Sequence, residues 1–173
     1  MLQTTLKSFK RKLPKQRSKF RRFLNKMEKA PAAGIDKLTK IIDKEVWEET
    51  DCLTCANCCK KMTPTFTVKD LKRISAHFGE TPEEFKKKWL KKDRSNGDWV
   101  NVTQPCQFLN LNDNKCSIYA IRPEDCSGFP HLAKKKFDDY AHVHKQNIDY
   151  CPATFKMVEK LIGRVEALRI VSK

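Results

Sequence analysis

The run Cys52-Leu53-Thr54-Cys55-Ala56-Asn57-Cys58-Cys59 constrains this chain more than any other feature. A two-residue gap lets neighbouring sulfurs turn toward one ion while the intervening amides donate to the thiolates, which is the local geometry of zinc knuckles and iron–sulfur ligand loops. Cys58 and Cys59 are adjacent, so their side chains diverge. Both cannot easily join Cys52 and Cys55 around a single closed tetrahedral ion. The run is therefore expected to feed two centres, or one polynuclear centre. Cys106, Cys116, Cys126 and Cys151 supply the missing ligands and bring the total to eight, the number that two four-thiolate sites require.

Whether eight thiols mean metal or disulfides depends on the compartment. Met1 to Lys19 lacks the continuous apolar stretch of a secretory signal, and no apolar run approaches the length of a membrane-spanning helix. A cytoplasmic location is expected, and in a reducing cytosol metal binding is the better reading of this spacing. Soft thiolates suit zinc and iron alike, and no carboxylate-rich site for a hard cation is visible. Closed all-cysteine sites tip the choice slightly toward zinc. The run Cys52, Cys55, Cys58 with a distant Cys151-Pro152 echoes ferredoxin spacing and keeps a [4Fe-4S] cluster as the alternative.

Asn57, Arg122 and His131 are the candidate groups just outside the sulfurs, and His131 follows Phe129-Pro130 close to Cys126. His142-Val143-His144 would place both rings on one side of an extended segment. A histidine beside a full set of sulfurs is more often ordinary surface chemistry than a ligand.

The net charge of +15 is unevenly spread. Residues 1–30 hold eleven Lys and Arg against one acid, Glu28. Leu2, Leu6, Phe9 and Leu13 recur at helical spacing until Pro14 breaks the run, and Phe20, Phe23, Leu24 and Met27 form a second stripe. Two short basic helices that pack on the body or fray are the plainer expectation, because charge runs are usually solvated faces. The sharper one is an amphipathic element that binds RNA, the ribosome or an anionic surface. Ala30 to Gly34 reads as a linker. Residues 1–33 are thus expected to be a basic extension and linker, and 34–173 a cysteine-cluster domain.

Ile35, Leu38, Ile41, Ile42, Val46 and Trp47 mark one helix. Thr67 and Asp70 stand at capping-box spacing ahead of Val68, Leu71, Ile74 and Phe78, with Gly79 as the stop. Thr81-Pro82-Glu83-Glu84 opens another helix, whose buried side is Phe85, Trp89 and Leu90. Trp99 to Val102 alternates as a strand, and Phe108-Leu109 and Ile118-Tyr119 around a polar loop suggest a hairpin. Cys151-Pro152 starts a long helix with Phe155, Val158, Leu161, Ile162, Val165 and Leu168 inward. The expected fold is mainly α with a small antiparallel β-hairpin, a compact metal-stabilised domain plus a basic helical extension.

Asp51 to Cys59, Pro105-Cys106-Gln107-Phe108-Leu109, Cys116-Ser117-Ile118-Tyr119, Arg122-Pro123-Glu124-Asp125-Cys126, Phe129-Pro130 and Cys151-Pro152 occur in that order. At these residues the chain resembles the cysteine-cluster family named for its CxxCxxCC motif, over about residues 35–160. The resemblance implies zinc or iron chelation with all eight cysteines in the ligand set. One departure is Ser127, where members usually carry Arg directly after the cysteine. That removes a cation able to neutralise a thiolate-rich centre or grip an anionic substrate.

Three functions follow as expectations. The first is a non-catalytic metal-binding protein, structural or metal-handling. The second is an iron- or iron–sulfur-dependent enzyme that modifies a protein or small molecule. The third is an RNA- or ribosome-associated factor anchored by residues 1–30.

Overall fold

The computed structural model describes the backbone of residues 2–171 and the side chains of residues 6–168. In chain order the elements are α1 (Leu2–Lys29), α2 (Ile35–Glu48), α3 (Cys52–Cys55), α4 (Asn57–Lys61), α5 (Val68–His77), α6 (Pro82–Trp89), β1 (Leu90–Lys92), β2 (Trp99–Asn101), α7 (Glu124–Gly128), α8 (Phe137–Asn147) and α9 (Pro152–Val171), with a 3-10 turn at Tyr119–Ile121. The chain is mainly helical with one two-stranded antiparallel hairpin, as the sequence implies. The chain divides into two units, one built from the segments up to Cys55 and from Pro130 onward, the other from Ala56–Phe129.

In the first unit α1 lies against α8 and α9, and α2 against α9. The break expected at Pro14 does not occur: α1 continues through it. A proline inside a helix costs about 3 kcal/mol, through a lost hydrogen bond and a clash one turn back. The buried Phe9 and Phe20 flank it and both rings meet Phe155, at centroid distances of 5.4 and 4.7 Å. Burying two such rings contributes about 1.5–3 kcal/mol each, enough to offset that cost. Leu24 and Met27 extend this apolar face, while the side chain of Leu2 lies outside the described ones.

Helix α2 buries Ile35, Thr39, Ile42 and Val46. Ile41 and Trp47, expected inside, are exposed, and Trp47 Nε1 donates to Asp43 Oδ1 at 3.0 Å along its own helix. The buried set repeats every three to four residues, a narrower stripe than the sequence implied. Asp36 accepts from the Phe137 amide at 2.8 Å and so caps α8 from another element. Helix α9 is buried on most sides through Val165, whereas Leu168 is exposed.

The second unit follows its capping signals. Thr67 and Asp70, and then Thr81 and Glu84, exchange the reciprocal hydrogen bonds of capping boxes, which satisfy amides that a helix start leaves open. Phe66, Leu71, Ile74, Phe85, Leu90, Phe108 and Ile118 form the core, and Cys106 and Cys116 pack against it. The hairpin pairs Leu90 with Asn101 and Lys92 with Trp99. Leu90 therefore opens a strand rather than closing α6. Residues 108–119, expected to be the hairpin, form only the isolated bridge Leu109–Cys116 and the 3-10 turn. Among the described residues, no helix is long and apolar enough to cross a membrane.

Candidate metal centre

The eight cysteines are all free thiols, and the CxxCxxCC run is shared between the units. Cys52 and Cys55 are the ends of α3 in the first unit, while Cys58 and Cys59 lie on α4 in the second. Between them Ala56 adopts φ 45°, in the left-handed region. A residue with a Cβ rarely sits there, and the kink stops α3 from running on into α4. On α4 the sulfurs of Cys58 and Cys59 are 3.9 Å apart.

In the second unit Cys59, Cys106, Cys116 and Cys126 share one neighbourhood. The Cys106 amide donates to the Cys59 carbonyl at 2.9 Å, and the bridge at Leu109–Cys116 folds Cys116 back toward the segment that carries Cys106. Cys106, Cys116 and Cys126 each lie within electrostatic reach of Cys59. Burial first, and then this crowding of sulfurs, push all three thiols above the usual cysteine range. Cys59 moves the other way, down to about 7, through the hydrogen bond from the Cys58 thiol, with its own amide and Lys60 adding to the effect against burial.

Backbone amides are aimed at these sulfurs. Phe108 N–H faces Cys106 and Ile118 N–H faces Cys116, the same two-residue offset in both loops. Asn101 Nδ2 donates to Cys106 Sγ at 3.2 Å and is held from behind by Gln107 Nε2, 3.1 Å from its Oδ1. Such donors stabilise a thiolate and are a main lever on thiolate metal centres. Arg122 lies near Cys116 and lowers its pKa against burial. Its guanidinium stacks 3.9 Å from the Tyr119 ring and donates to the Tyr119 carbonyl at 2.6 Å. Asp125 ties α7 inward by accepting from the Thr65 amide at 3.2 Å.

In the first unit the buried Cys151 stands just before α9, where the amides of Thr154 and Ala153 point at its sulfur, and Cys55 lies within electrostatic reach. Burial nevertheless raises its thiol. Cys52 is exposed and Cys55 half-buried. Among the described residues, no three His, Cys, Asp or Glu side chains are already gathered closely enough to hold one ion.

Of the outer candidates, Asn57 is buried on α4, and His131 is buried with φ 61° and its ring 6.1 Å from Tyr140. The expectation for His142 and His144 is corrected. They lie on helix α8, not an extended segment, so positions two apart face different ways: His142 is exposed and His144 fully buried. Asn101 was missed in the sequence. An asparagine inside a strand, where it is normally depleted, was the available signal.

The family model of the CxxCxxCC family, described as "Putative zinc- or iron-chelating domain", matches residues 51–151. An uncharacterized protein of Methanocaldococcus jannaschii is 33% identical over 76 residues, which are 43% of this chain and 41% of that protein. The chain thus spans less than half the length of this relative. No solved structure matches.

Proposed function

The chain belongs to the CxxCxxCC family of zinc- or iron-chelating domains, and from that premise we propose that it is a cytosolic metal-binding protein whose eight thiolates hold two centres. One is built on Cys59, Cys106, Cys116 and Cys126; a second draws on Cys52, Cys55 and Cys151, and Cys58 supplies the eighth thiolate. The observation that carries this reading is the crowding of Cys106, Cys116 and Cys126 around Cys59, with backbone amides and Asn101 aimed at the sulfurs.

The donor set fits a divalent ion. Several thiolates cannot ionise side by side in a buried site unless a cation compensates them, and burial here holds the thiols protonated in its absence. When bound, the metal would neutralise the sulfurs and tie together loops with little regular structure. Cys59, lowered to about 7 where Cys106, Cys116 and Cys126 are raised, gives up its proton more readily than those three and is the natural first ligand among them. Phe108, Ile118 and Asn101 orient the sulfurs through N–H donors, and Arg122 offsets the surplus negative charge. Cys59, Cys106, Cys116 and Cys126 are the residues that would hold the ion. Zinc is the ion that a closed four-thiolate site suits, ahead of iron, and a reducing compartment keeps such thiols free.

The role is structural or metal-handling. Metal analysis of anaerobically purified protein, with its visible spectrum, tests this. Stoichiometric zinc without colour is expected. Stoichiometric iron with a charge-transfer band would move the reading to an iron or iron–sulfur enzyme, and absence of both metals from fully reduced protein would overturn it.

A further inference from the structure

Helix α1 presents two contrasting faces. Phe9, Phe20, Leu24 and Met27 are buried against the first unit. Advancing 100° per residue, Arg11, Lys15, Arg22, Lys26 and Lys29 all fall on the opposite side, and all five are exposed. From Arg11 to Lys29 the stripe is about 27 Å long, at 1.5 Å per residue. Four of the cations that flank it are spent internally. Arg17 and Arg21 hold Asp149 at 2.7 and 2.9 Å, Lys12 holds Glu159 at 3.0 Å, and Lys19 reaches Glu166 at 3.5 Å. Among the described residues, none of the five stripe cations has a side-chain partner.

We propose that this stripe binds the phosphodiester backbone of nucleic acid duplexes, without regard to base sequence. The inference stands apart from the metal centre and uses none of its residues. A bilayer is the poorer occupant, because an interfacial helix must insert its apolar face, and in α1 that face is already buried in the protein. The stripe carries no aromatic side chain, so bases have nothing to stack on. What it offers is a row of Arg and Lys separated by about 5–10 Å along the axis, a ladder that a regular row of phosphates can match through released counterions. With no contact to sugar or base, RNA and DNA duplexes should be bound alike.

The test measures fluorescence anisotropy of the full chain, as purified with its metal, with a 20-base-pair RNA duplex, the matching DNA duplex, and phosphatidylserine vesicles. A variant with Arg11, Lys15, Arg22, Lys26 and Lys29 each changed to Gln removes the stripe. A charge-matched control changes Lys37, Lys40, Lys44, Lys69 and Lys87 to Gln; all five are exposed. Glutamine favours helices, and circular dichroism checks that α1 survives. The double variant Lys15→Gln/Arg22→Gln serves if it does not.

Expected are duplex binding that weakens by roughly a hundredfold or more between 50 and 200 mM salt, loss of about thirtyfold or more in the stripe variant, and a change within about threefold in the control. The double variant should lose about fivefold. Equal losses in stripe and control variants, tighter binding to vesicles than to duplexes, a preference above about tenfold for one sugar, or no duplex binding at 50 mM salt would each overturn the proposal.

Discussion

Asp70 illustrates how a single buried carboxylate organises the neighbourhood of the cysteines. Its two oxygens accept from the Thr67 amide and hydroxyl at 3.0 and 2.7 Å, from Arg73 at 2.6 Å, and from the Glu124 amide at 3.1 Å, two residues before Cys126. Burial alone would raise its pKa, but these donors, led by Thr67, hold it below the usual carboxylate range. Asp70→Asn turns an acceptor into a donor facing other donors and should cost about 2 kcal/mol in chemical denaturation at pH 7. A depressed folded pKa contributes stability that is present above the unfolded value near 4 and lost as pH falls through the folded one. The gap between the parent and Asp70→Asn should therefore close toward pH 2. A gap that persists there would show that the charge is not what matters.

His144 has the same sign of pH dependence for a different reason: here the charged form is the one the fold disfavours. It is fully buried, neither ring nitrogen has a hydrogen-bond partner, and its pKa falls to about 4, first through burial and then through His131 and His142. The unfolded chain takes up this proton near pH 6.5 and the folded chain does not, so stability drops as pH falls from about 6.5 to about 4, by on the order of 3 kcal/mol. His144→Leu should flatten that slope and melt above the parent at pH 5. An unchanged slope would place the acid sensitivity elsewhere.

At the scale of elements, Pro14 is the clearest conflict between local preference and tertiary packing. It is exposed, and the helix continues through it between two phenylalanines packed on Phe155. Pro14→Ala should stabilise the protein by about 1–3 kcal/mol and raise its melting temperature; a fall would mean that the missing amide is needed. Phe155→Ala, by contrast, removes the ring shared by Phe9 and Phe20 and should cost about 3–5 kcal/mol.

Both capping boxes and the Pro-led start of α9 were legible in the sequence because caps are local: their partners lie three residues away. The continuity of α1 was not, since it depends on Phe155, far along the chain. The hairpin was misplaced for a related reason. Strand β1 is Leu90-Lys91-Lys92, which reads as a basic helix end and becomes a strand only by pairing with Trp99–Asn101. The cysteine motif that carries the family match was legible from spacing alone. The division of its cysteines was not: Cys58 and Cys59 part from Cys52 and Cys55 at Ala56, and nothing in an alanine announces a left-handed turn.

For the whole molecule, the proposed metal centres would join chemistry to stability. The loops carrying Cys106, Cys116 and Cys126 have one isolated bridge, a 3-10 turn and a five-residue helix between them, so sulfur–metal bonds should supply much of their order. A strong chelator should lower the melting temperature and weaken protection of residues 104–126 from hydrogen exchange, while the amides of α9 stay protected. Uniform loss across the chain, or none, would contradict this.

The most direct measurement counts metal ions per chain by native mass spectrometry, comparing the parent with Cys106→Ser/Cys116→Ser and with Cys52→Ser/Cys55→Ser. Two ions are expected in the parent. Each double variant should lose one ion and keep the other if, as proposed, the pairs serve different centres. A parent with a single ion, or either pair of substitutions abolishing all metal in a chain that remains folded, would contradict two separate thiolate centres.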